Sequence, residues 1–246
     1  MKAVILGGTS GMGRAVARRL AERGDALFLL GMPLVELERS ASDLEQRGAA
    51  GRNVGVRELD LADPRTFEAA LDSAHKALGG IDTVIVTAGM FRTQDALEQD
   101  FDFTYRMLHV NFTATVLFCE LARKRLLAAG GGTLCVFSSV AGDRGRKPVV
   151  LYGASKAGLS HYLESLDHKY RAEGLRTITI KPGFVKTPMT EGLKPPPFAG
   201  EAEGVALQVV RAIDRGTPLV YAPSIWRYVM LVIRFLPRFV MRKIGF

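Results

Sequence analysis

Two polar side chains four residues apart, Tyr152 and Lys156, could transfer a proton in this chain of 246 residues. The surrounding sequence has a helical pattern, and residues at this spacing share one face of a helix, which places the lysine ammonium beside the phenol. An isolated tyrosine has a pKa of about 10. A neighbouring cation favours the phenolate and brings that proton within reach of chemistry near neutral pH. The alternative is a solvated helix face without a catalytic role.

A pair of serines follows a short apolar segment at residues 133–137. Ser138 and Ser139 therefore fall where a parallel sheet presents the ligand-facing ends of its strands. A hydroxyl at this edge can hydrogen-bond a substrate carbonyl oxygen while a tyrosine supplies the proton. The alternative for the pair is a turn or a helix cap.

A glycine-rich segment, residues 6–13 with the sequence LGGTSGMG, follows the first apolar segment of the chain and precedes a helical pattern. Glycines at this point let the backbone turn sharply and approach a pyrophosphate, which the amides and the positive end of the helix then hold. The spacing differs from the commoner G-x-G-x-x-G motif. A tight turn without a ligand is the alternative, but the position after the first strand favours a dinucleotide site.

Segments rich in Val, Ile and Leu alternate along the chain with segments of helical pattern. Apolar residues at consecutive positions are typical of strands buried on both faces of a parallel sheet. The predicted strands are residues 2–6, 26–30, 54–58, 83–86, 133–137, 176–180 and 219–221, and the predicted helices are residues 12–23, 34–47, 64–78, 94–128 and 151–173. This order predicts an α/β fold with a doubly wound, Rossmann-like parallel sheet of about seven strands and helices on both faces. The ligand should lie where the strand order reverses.

Taken together, these motifs resemble the short-chain dehydrogenase/reductase family. The matching residues, in chain order, are Gly7, Gly11 and Gly13, then Ser139, Tyr152 and Lys156, and then the segment PGFVKT at residues 182–187. The resemblance implies an enzyme that interconverts a ketone or aldehyde and an alcohol by hydride transfer, with Tyr152 as general acid/base. A non-catalytic protein that binds or senses a dinucleotide is the alternative.

The resemblance also implies roles for the matching residues. Ser139 orients the carbonyl, Lys156 binds ribose hydroxyls and stabilises the tyrosinate, and Asn111 anchors a proton-relay water. The predicted catalytic group is Asn111, Ser139, Tyr152 and Lys156. The predicted cofactor contacts are Gly7, Thr9, Ser10, Gly11, Met12, Gly13, Met32, Asp60, Leu61, Ala88, Gly89, Asn111, Tyr152, Lys156, Pro182, Gly183, Val185 and Thr187. Thr87 replaces a usual asparagine and Leu6 a usual threonine, which should alter local hydrogen bonds and not the reaction.

The end of the second predicted strand bears on the choice of cofactor. An NAD enzyme usually has an acidic residue there that binds the adenosine ribose, and an NADP enzyme has basic residues instead. Gly31 and Met32 are not acidic, and the missing acid favours NADP(H) over NAD(H). However, NADP-binding members often have arginine at the position of Met32. Arg14 could serve instead or be an exposed helix arginine. Asp60 is either an adenine contact or a loop carboxylate.

The formal net charge of +8 is concentrated at the end of the chain. No acidic residue follows Asp214, and the basic residues there are Arg215, Arg227, Arg234, Arg238, Arg242 and Lys243. We expect residues 1–223 to form the dinucleotide-binding and catalytic domain and residues 224–246 a basic, apolar segment with no run near the roughly 20 residues of a membrane span. That segment either lies on an anionic membrane surface, which would suit an apolar or lipid-like substrate, or packs on the core or another subunit.

Other classes of site and partner are disfavoured. No basic-aromatic recognition motif supports nucleic-acid binding, and neither the cysteines, Cys119 and Cys135, nor the histidines have the spacing of a metal site. The first residues lead directly into a strand and not into a signal peptide, which predicts a cytoplasmic protein, with peripheral contact at the inner face of a membrane as the alternative for the tail. The expected partner is a small carbonyl or alcohol, and the resemblance implies a homodimer or homotetramer built through the long helices.

Overall fold

A large parallel sheet forms the centre of the protein, for which a computed structural model describes residues 1–48 and 53–245. Its strands are β1 (Lys2–Leu6), β2 (Ala26–Gly31), β3 (Gly55–Glu58), β4 (Thr83–Val86), β5 (Gly132–Phe137), β6 (Leu175–Pro182) and β9 (Leu219–Ala222). Within the described residues they form a seven-stranded sheet in the order β3-β2-β1-β4-β5-β6-β9, with every neighbouring pair parallel. Two short strands, β7 (Val185–Lys186) and β8 (Gly200–Glu201), pair separately. The predicted doubly wound parallel sheet is confirmed.

The side chains of β1 explain why the sheet is buried on both faces. Ala3 and Ile5 pack into one apolar layer, and Val4 and Leu6 pack into the other. Successive side chains of a strand point to opposite faces of its sheet, and these four are at most 1% exposed. Burial on both faces requires the continuous apolar segments that the sequence contains.

Helices cover the two faces of the sheet. Their bounds are α1 (Gly11–Glu22), α2 (Leu34–Arg47), α3 (Phe67–Leu78), α4 (Gln94–Gln99), α5 (Phe101–Leu108), α6 (Thr115–Ala128), α7 (Val150–Tyr170), α8 (Ala202–Arg215), α9 (Trp226–Phe235) and α10 (Arg238–Lys243). Helices α1 and α8 pack on one face, and α3, α6 and α7 pack on the other. Helix α8, which completes the layer beside α1, is not among the helices that the sequence predicts.

The single long helix predicted at residues 94–128 is divided in the structure, so its predicted continuity was wrong. Helix α4 ends before Asp100, and the Asp100 carboxylate accepts a hydrogen bond of 2.9 Å from the backbone N–H of Phe103. This carboxylate therefore caps a new helix, α5, by satisfying one of its free N–H groups. A π-helical turn, His109–Ala114, then separates α5 from α6. Such turns are rare and occur frequently at functional sites.

Helices α9 and α10 form the C-terminal segment. Helix α9 buries Trp226, Met230 and Ile233 in a small apolar cluster with Val140, while its opposite side remains exposed. One side of the segment therefore packs on the body of the chain. Among the helices of residues 1–48 and 53–245, none has both the length and the apolar character to cross a membrane.

Candidate active site

A groove opens beyond the carboxyl ends of β1 and β4, where the strand order reverses and where α/β sheets bind their ligands. Its volume is about 380 Å³. Predicted cofactor contacts from well-separated parts of the chain line it: Gly7, Thr9, Ser10, Gly11, Met12, Gly13, Met32, Asp60, Leu61, Ala88, Gly89 and Thr187. The fold thus brings these residues to a common surface.

The glycine loop has the shape that the phosphates of a dinucleotide require. Gly7 and Gly11 have φ angles of +96° and +51°, a conformation that strains residues with a side chain. A Cβ atom at Gly13 would overlap the carbonyl oxygen of Gly7 and the hydroxyl oxygen of Thr87. Helix α1 begins at Gly11, so its free N–H groups lie at this bare backbone. The residues present therefore fit the pyrophosphate of NAD or NADP.

Thr87, which stands where the family usually has asparagine, ties the end of β4 to the glycine loop. Its Oγ1 lies 3.1 Å from the carbonyl oxygen of Leu6 and 2.9 Å from that of Gly7. A hydroxyl has one proton to donate, so these two acceptors share it. Threonine, although its side chain is shorter than that of asparagine, therefore still connects the end of β4 to the glycine loop.

Two arginines, Arg14 and Arg106, bear on the part of the groove around Asp60, and the sequence had indicated only Arg14. Arg14 forms an ion pair of 3.4 Å with Asp43 of α2 and is therefore already engaged. Arg106 of α5 lines the groove and lies 3.1 Å from Asp60. Asp60 also accepts a hydrogen bond of 2.8 Å from the backbone of Ala62. No local signal could have paired Arg106 with Asp60, because 46 residues separate them.

The two serines at the end of β5 have different partners. The Ser138 hydroxyl donates to the carbonyl oxygen of Lys156 at 3.0 Å and lies 2.7 Å from the hydroxyl of Ser160, so it is tied to α7. The Ser139 hydroxyl oxygen accepts a hydrogen bond of 3.1 Å from the backbone of Ala141. It lines one cavity with Tyr152, and its interaction with the phenol lowers the pKa of that group. Ser139 is thus the serine that contacts the tyrosine.

Tyr152 and Lys156 lie on one face of α7, where Lys156 is buried and Tyr152 is half-buried. The Lys156 ammonium is 5.9 Å from the centre of the Tyr152 ring and donates a hydrogen bond of 3.1 Å to the carbonyl oxygen of Phe137. The edge of the Phe91 ring packs against the tyrosine, with 5.0 Å between ring centres. The predicted spacing therefore does place the two side chains together.

Burial, and not the cation, dominates the acidity of this pair. Burial raises the pKa of Tyr152 to about 12, and the hydrogen bond from Ser139 opposes this rise. Burial lowers the pKa of Lys156 to about 8. The pKa of Tyr152 is therefore raised and not lowered as the sequence suggested, because desolvation penalises the charged form of both groups.

Asn111 lies in the π-helical turn, and its side chain is fully buried. Its amide nitrogen donates to the carbonyl oxygen of Met90 at 2.8 Å, and its amide oxygen accepts from the N–H of Met90 at 2.7 Å. A Cβ atom at Gly89 would lie 3.2 Å from this amide oxygen and 3.6 Å from the Lys156 ammonium. Asn111 and Lys156 therefore lie together beneath the floor of the groove at Gly89.

A second cavity, which we call the substrate cavity, opens beside Ser139 and Tyr152 and has a volume of about 660 Å³. Its apolar wall is formed by Phe91, Val140, Val149, Phe184, Leu193, Trp226, Val229 and Ile233. Three predicted cofactor contacts, Pro182, Gly183 and Val185, line this cavity and not the groove. The contribution of α9 to its wall was not predicted, because 74 positions separate Tyr152 from Trp226 in the printed sequence.

Comparison with known proteins gives one family. The family described as short chain dehydrogenase matches residues 1–197 of this chain. An oxidoreductase of Mycobacterium tuberculosis that carries no assigned substrate is 34% identical over 245 residues, covering 98% of this chain and 95% of that protein. The cis-4-hydroxycyclohexanecarboxylate dehydrogenase of Sinomonas cyclohexanicum is 32% identical over 194 residues, covering 78% of this chain and 76% of that protein.

Solved structures have the same fold. The crystal structure of levodione reductase is 25% identical in sequence and superimposes with a TM-score of 0.80 over 89% of this chain and 94% of that one. A short-chain type dehydrogenase/reductase from Mycobacterium ulcerans, 24% identical, superimposes with the same TM-score over 89% of this chain and 86% of that one. The second likeness concerns the fold alone.

Proposed function

This chain belongs to the short-chain dehydrogenase/reductase family, which consists of NAD(P)-dependent oxidoreductases, and we propose that it interconverts a ketone or aldehyde and an alcohol. One observation carries the proposal: Ser139 and Tyr152 open into an apolar cavity that shares Met12, Thr187 and Met189 with the dinucleotide groove. A carbonyl carbon in this cavity can lie beside the groove while its oxygen faces two hydroxyls.

In the reducing direction, the chain's own residues orient the substrate and supply one proton. Ser139 donates a hydrogen bond to the carbonyl oxygen and holds it against the Tyr152 hydroxyl. Bound NAD(P)H supplies the hydride. Tyr152 transfers its phenolic proton to the oxygen, so that one hydride and one proton convert the carbonyl to an alcohol. The Lys156 ammonium then stabilises the tyrosinate.

The acidity of Tyr152 supports this assignment. With a pKa of about 12, the phenol retains its proton at neutral pH and is a proton donor in its resting form. Oxidation of an alcohol requires Tyr152 to accept a proton and therefore to be ionised at the start. Oxidation near neutral pH thus requires ligand binding to lower the pKa of Tyr152, whereas reduction does not. The resting site therefore suits reduction at neutral pH.

Cofactor contacts follow from the same geometry. The Lys156 ammonium lies just below Gly89, so it can reach the hydroxyls of a ribose placed over this glycine. We assign the pyrophosphate to the glycine loop, the adenine to Asp60 and Leu61, and the nicotinamide end to Thr187 and the neighbouring segment of residues 182–185. Asn111 fixes the segment at Met90 and anchors the relay water.

We favour NADP(H) because neither Gly31, the last residue of β2, nor Met32 after it is acidic. The nearby Glu58 carboxylate already accepts a hydrogen bond of 3.1 Å from the backbone N–H of Leu34. Titration of the protein's fluorescence with NADPH and NADH should give tighter binding of NADPH. Met32→Arg places a cation beside the site of the 2′-phosphate, so we expect about tenfold tighter NADPH binding and NADH binding within about twofold of the wild type.

Leu219→Arg, which adds the same charge at an exposed position of β9 on the opposite edge of the sheet, is the matched control and should leave both affinities unchanged. Tighter binding of NADH than NADPH by the wild type would overturn the cofactor choice. If the folded protein bound neither dinucleotide, the proposed reaction itself would be refuted.

The substrate cavity supports an apolar carbonyl compound. Its wall is largely aromatic and aliphatic, and apolar surface buried there contributes about 25 cal/mol per Å². The related dehydrogenase from Sinomonas is named for a cyclic hydroxy acid, which agrees with a secondary alcohol and its ketone. Oxidation of NADPH in the presence of hydrophobic ketones and aldehydes tests this, and turnover of small sugars alone would contradict it.

The exposed side of α9 and α10 supports peripheral membrane contact. Tyr228, Leu231, Val232, Phe235 and Phe239 are all more than half exposed, and the basic residues around them can meet anionic headgroups. We expect the protein to co-sediment with anionic vesicles at low salt and not with neutral vesicles. The double variant Phe235→Ser/Phe239→Ser should lose this binding, whereas Val35→Ser on α2 should retain it. A wild-type protein that stays in solution with anionic vesicles would refute this contact.

An apolar surface on the helices around the π turn supports assembly into a homodimer or homotetramer. Phe101, Tyr105, Phe112 and Leu117 are between 38% and 80% exposed along α5, the π turn and α6. Clustered exposed aromatic residues are characteristic of protein interfaces. Sedimentation equilibrium should therefore give a mass above that of one chain, and a monomer at micromolar concentration would contradict assembly.

A further inference from the structure

A third cavity, which we call the cationic pocket, lies between the segment after β5, the first turns of α7, and α10. Its volume is about 630 Å³. Five basic side chains line it: Arg144, Arg146, Lys147, Arg238 and Arg242. No acidic residue is among the described residues that line it. Like charges gathered in one pocket repel one another, and a bound anion would relieve that repulsion.

The carboxylate nearest in sequence, Asp143, attracts Arg146 electrostatically, but its two oxygens are hydrogen-bonded to other groups. One oxygen of Asp143 pairs with the ammonium of Lys181 at 2.5 Å, and the other accepts a hydrogen bond of 2.7 Å from the Tyr221 hydroxyl. Asp143 therefore serves a separate buried pair. Arg144 donates a hydrogen bond of 3.0 Å to the carbonyl oxygen of Leu236, which joins the pocket to the end of α9 but adds no negative charge.

Arg146 connects the cationic pocket with the substrate cavity, since it lines both together with Ala141 and Val149. Its Nε atom is buried and has no hydrogen-bond partner among residues 1–48 and 53–245. Burial also lowers the pKa of this guanidinium. A buried, unpartnered donor on a cation costs stability, and a bound anion at the boundary of the two cavities would supply the missing acceptor.

We propose that the cationic pocket binds the anionic head group, a phosphate or carboxylate, of a substrate whose apolar body lies in the substrate cavity. Arg146 donates hydrogen bonds to the head group at the boundary of the two cavities, and the other four cations surround it. Guanidinium groups are suited to this because their paired N–H groups match the oxygens of both anions. The assumption that this substrate has a carbonyl group depends on the proposed reaction at Tyr152. The anion site does not depend on that reaction.

Binding can be measured without turnover because the only tryptophan of the chain, Trp226, lines the substrate cavity. Its fluorescence reports titrations with dodecyl phosphate, dodecan-1-ol and inorganic phosphate, each below the concentration at which it self-associates. We expect dodecyl phosphate to bind at least about tenfold more tightly than either of the other two, since a charge-assisted hydrogen bond and apolar burial both contribute.

Replacement of the basic residues tests whether the cationic pocket causes the tighter binding of dodecyl phosphate. Arg146→Gln should weaken dodecyl phosphate binding about tenfold or more and leave dodecan-1-ol within about twofold, and Arg146→Lys should restore part of the loss. The double variant Arg238→Gln/Arg242→Gln removes two cations from α10 without changing the loop and should weaken the same probe. Arg211→Gln, an exposed arginine of α8 that lines neither cavity, is the matched control and should bind as the wild type does.

Three results would overturn the proposal. These are equal affinity for dodecyl phosphate and dodecan-1-ol, unchanged binding by both the Arg146→Gln protein and the double variant, and inorganic phosphate binding as tightly as dodecyl phosphate. The last result would mean a free anion site unconnected with the substrate cavity.

Measurements of substrate turnover distinguish a failure of the anion-site proposal from a failure of the proposed reaction. A series of ω-oxo fatty acids should be reduced with at least about tenfold higher kcat/KM than their methyl esters, and Arg146→Gln should remove the difference. Equal turnover of acids and esters would refute the anion site and leave the reaction intact. Arg146-dependent binding of dodecyl phosphate without reduction of any carbonyl would support the anion site and refute the reaction.

Discussion

Replacement of Tyr152 by phenylalanine is expected to reduce kcat/KM for carbonyl reduction by a factor of about 10²–10⁴, the usual contribution of a positioned general acid. The phenylalanine ring preserves the contact with Phe91 and removes only the hydroxyl, so the affinity for the dinucleotide should stay within about twofold. Ser139 cannot replace the lost proton donor, because an unactivated aliphatic hydroxyl gives up its proton far less readily than a phenol. Steady-state kinetics and a fluorescence titration on the same preparation measure both quantities.

Tyr162 provides a matched control on the same helix. Its hydroxyl donates a hydrogen bond of 2.8 Å to the Glu120 carboxylate, and it lines neither the groove nor the substrate cavity. Tyr162→Phe should lose about 1 kcal/mol of stability and keep its activity. If Tyr152→Phe retained the wild-type rate, Tyr152 would not be the acid, and the alternative of a dinucleotide-binding protein without this chemistry would gain support.

Lys156→Met is expected to abolish turnover and, at the same time, to stabilise the protein without cofactor by about 2 kcal/mol at pH 7. Lys156 is 4% exposed, and burial lowers its pKa from 10.5 to about 8. Such a shift corresponds to a penalty of about 3 kcal/mol for the charged form. Loss of the hydrogen bond to Phe137 offsets about 1 kcal/mol of the gain. Urea unfolding of both proteins measures the difference.

The stability difference between Lys156→Met and the wild type should depend on pH in a defined direction. Because the folded protein holds the Lys156 proton less tightly than the unfolded chain does, the unfolded chain binds more protons between pH 8 and 10.5. The stability contributed by this residue therefore rises through that window in the wild type, and the advantage of Lys156→Met should shrink accordingly from pH 7 to pH 10. Tyr152 contributes the opposite slope above pH 10, because its pKa is raised from 10.0 to about 12.

Lys76→Met, at an exposed position of α3, is the control for loss of a lysine and should change stability by less than about 0.5 kcal/mol. A Lys156→Met protein less stable than the wild type at pH 7 would show that the buried ammonium is compensated by interactions stronger than the single hydrogen bond to Phe137. A stabilised protein with normal turnover would remove Lys156 from the catalytic group.

Local features of the sequence determined the architecture and the residues of the candidate active site. Consecutive apolar residues, as in β1 and β4, predict strands buried on both faces, and their alternation with helical patterns predicts a doubly wound sheet. The glycine loop and the spacing of Tyr152 and Lys156 are equally local, since each depends on backbone conformation within one turn or one helix. The sheet that these features predict is the sheet observed.

Only the tertiary structure decided how distant side chains share the site. The pairing of Arg106 with Asp60, the division of the predicted helix at residues 94–128, and the wall that α9 adds to the substrate cavity all join segments far apart in the chain. The direction of the Tyr152 pKa shift was decided in the same way. Spacing placed a cation nearby, but desolvation by the surrounding residues raises the pKa of Tyr152.

The environment of Arg146 is the clearest example of a feature that the sequence alone does not predict. In the sequence it is one basic residue of a short polar loop, and nothing local distinguishes it from a solvated arginine. In the folded chain it borders two cavities, with its Nε atom buried and unpartnered among the described residues. Burial and the lack of a hydrogen-bond partner for this Nε atom within the described residues depend on every segment packed around the side chain, so they arise only when the chain folds.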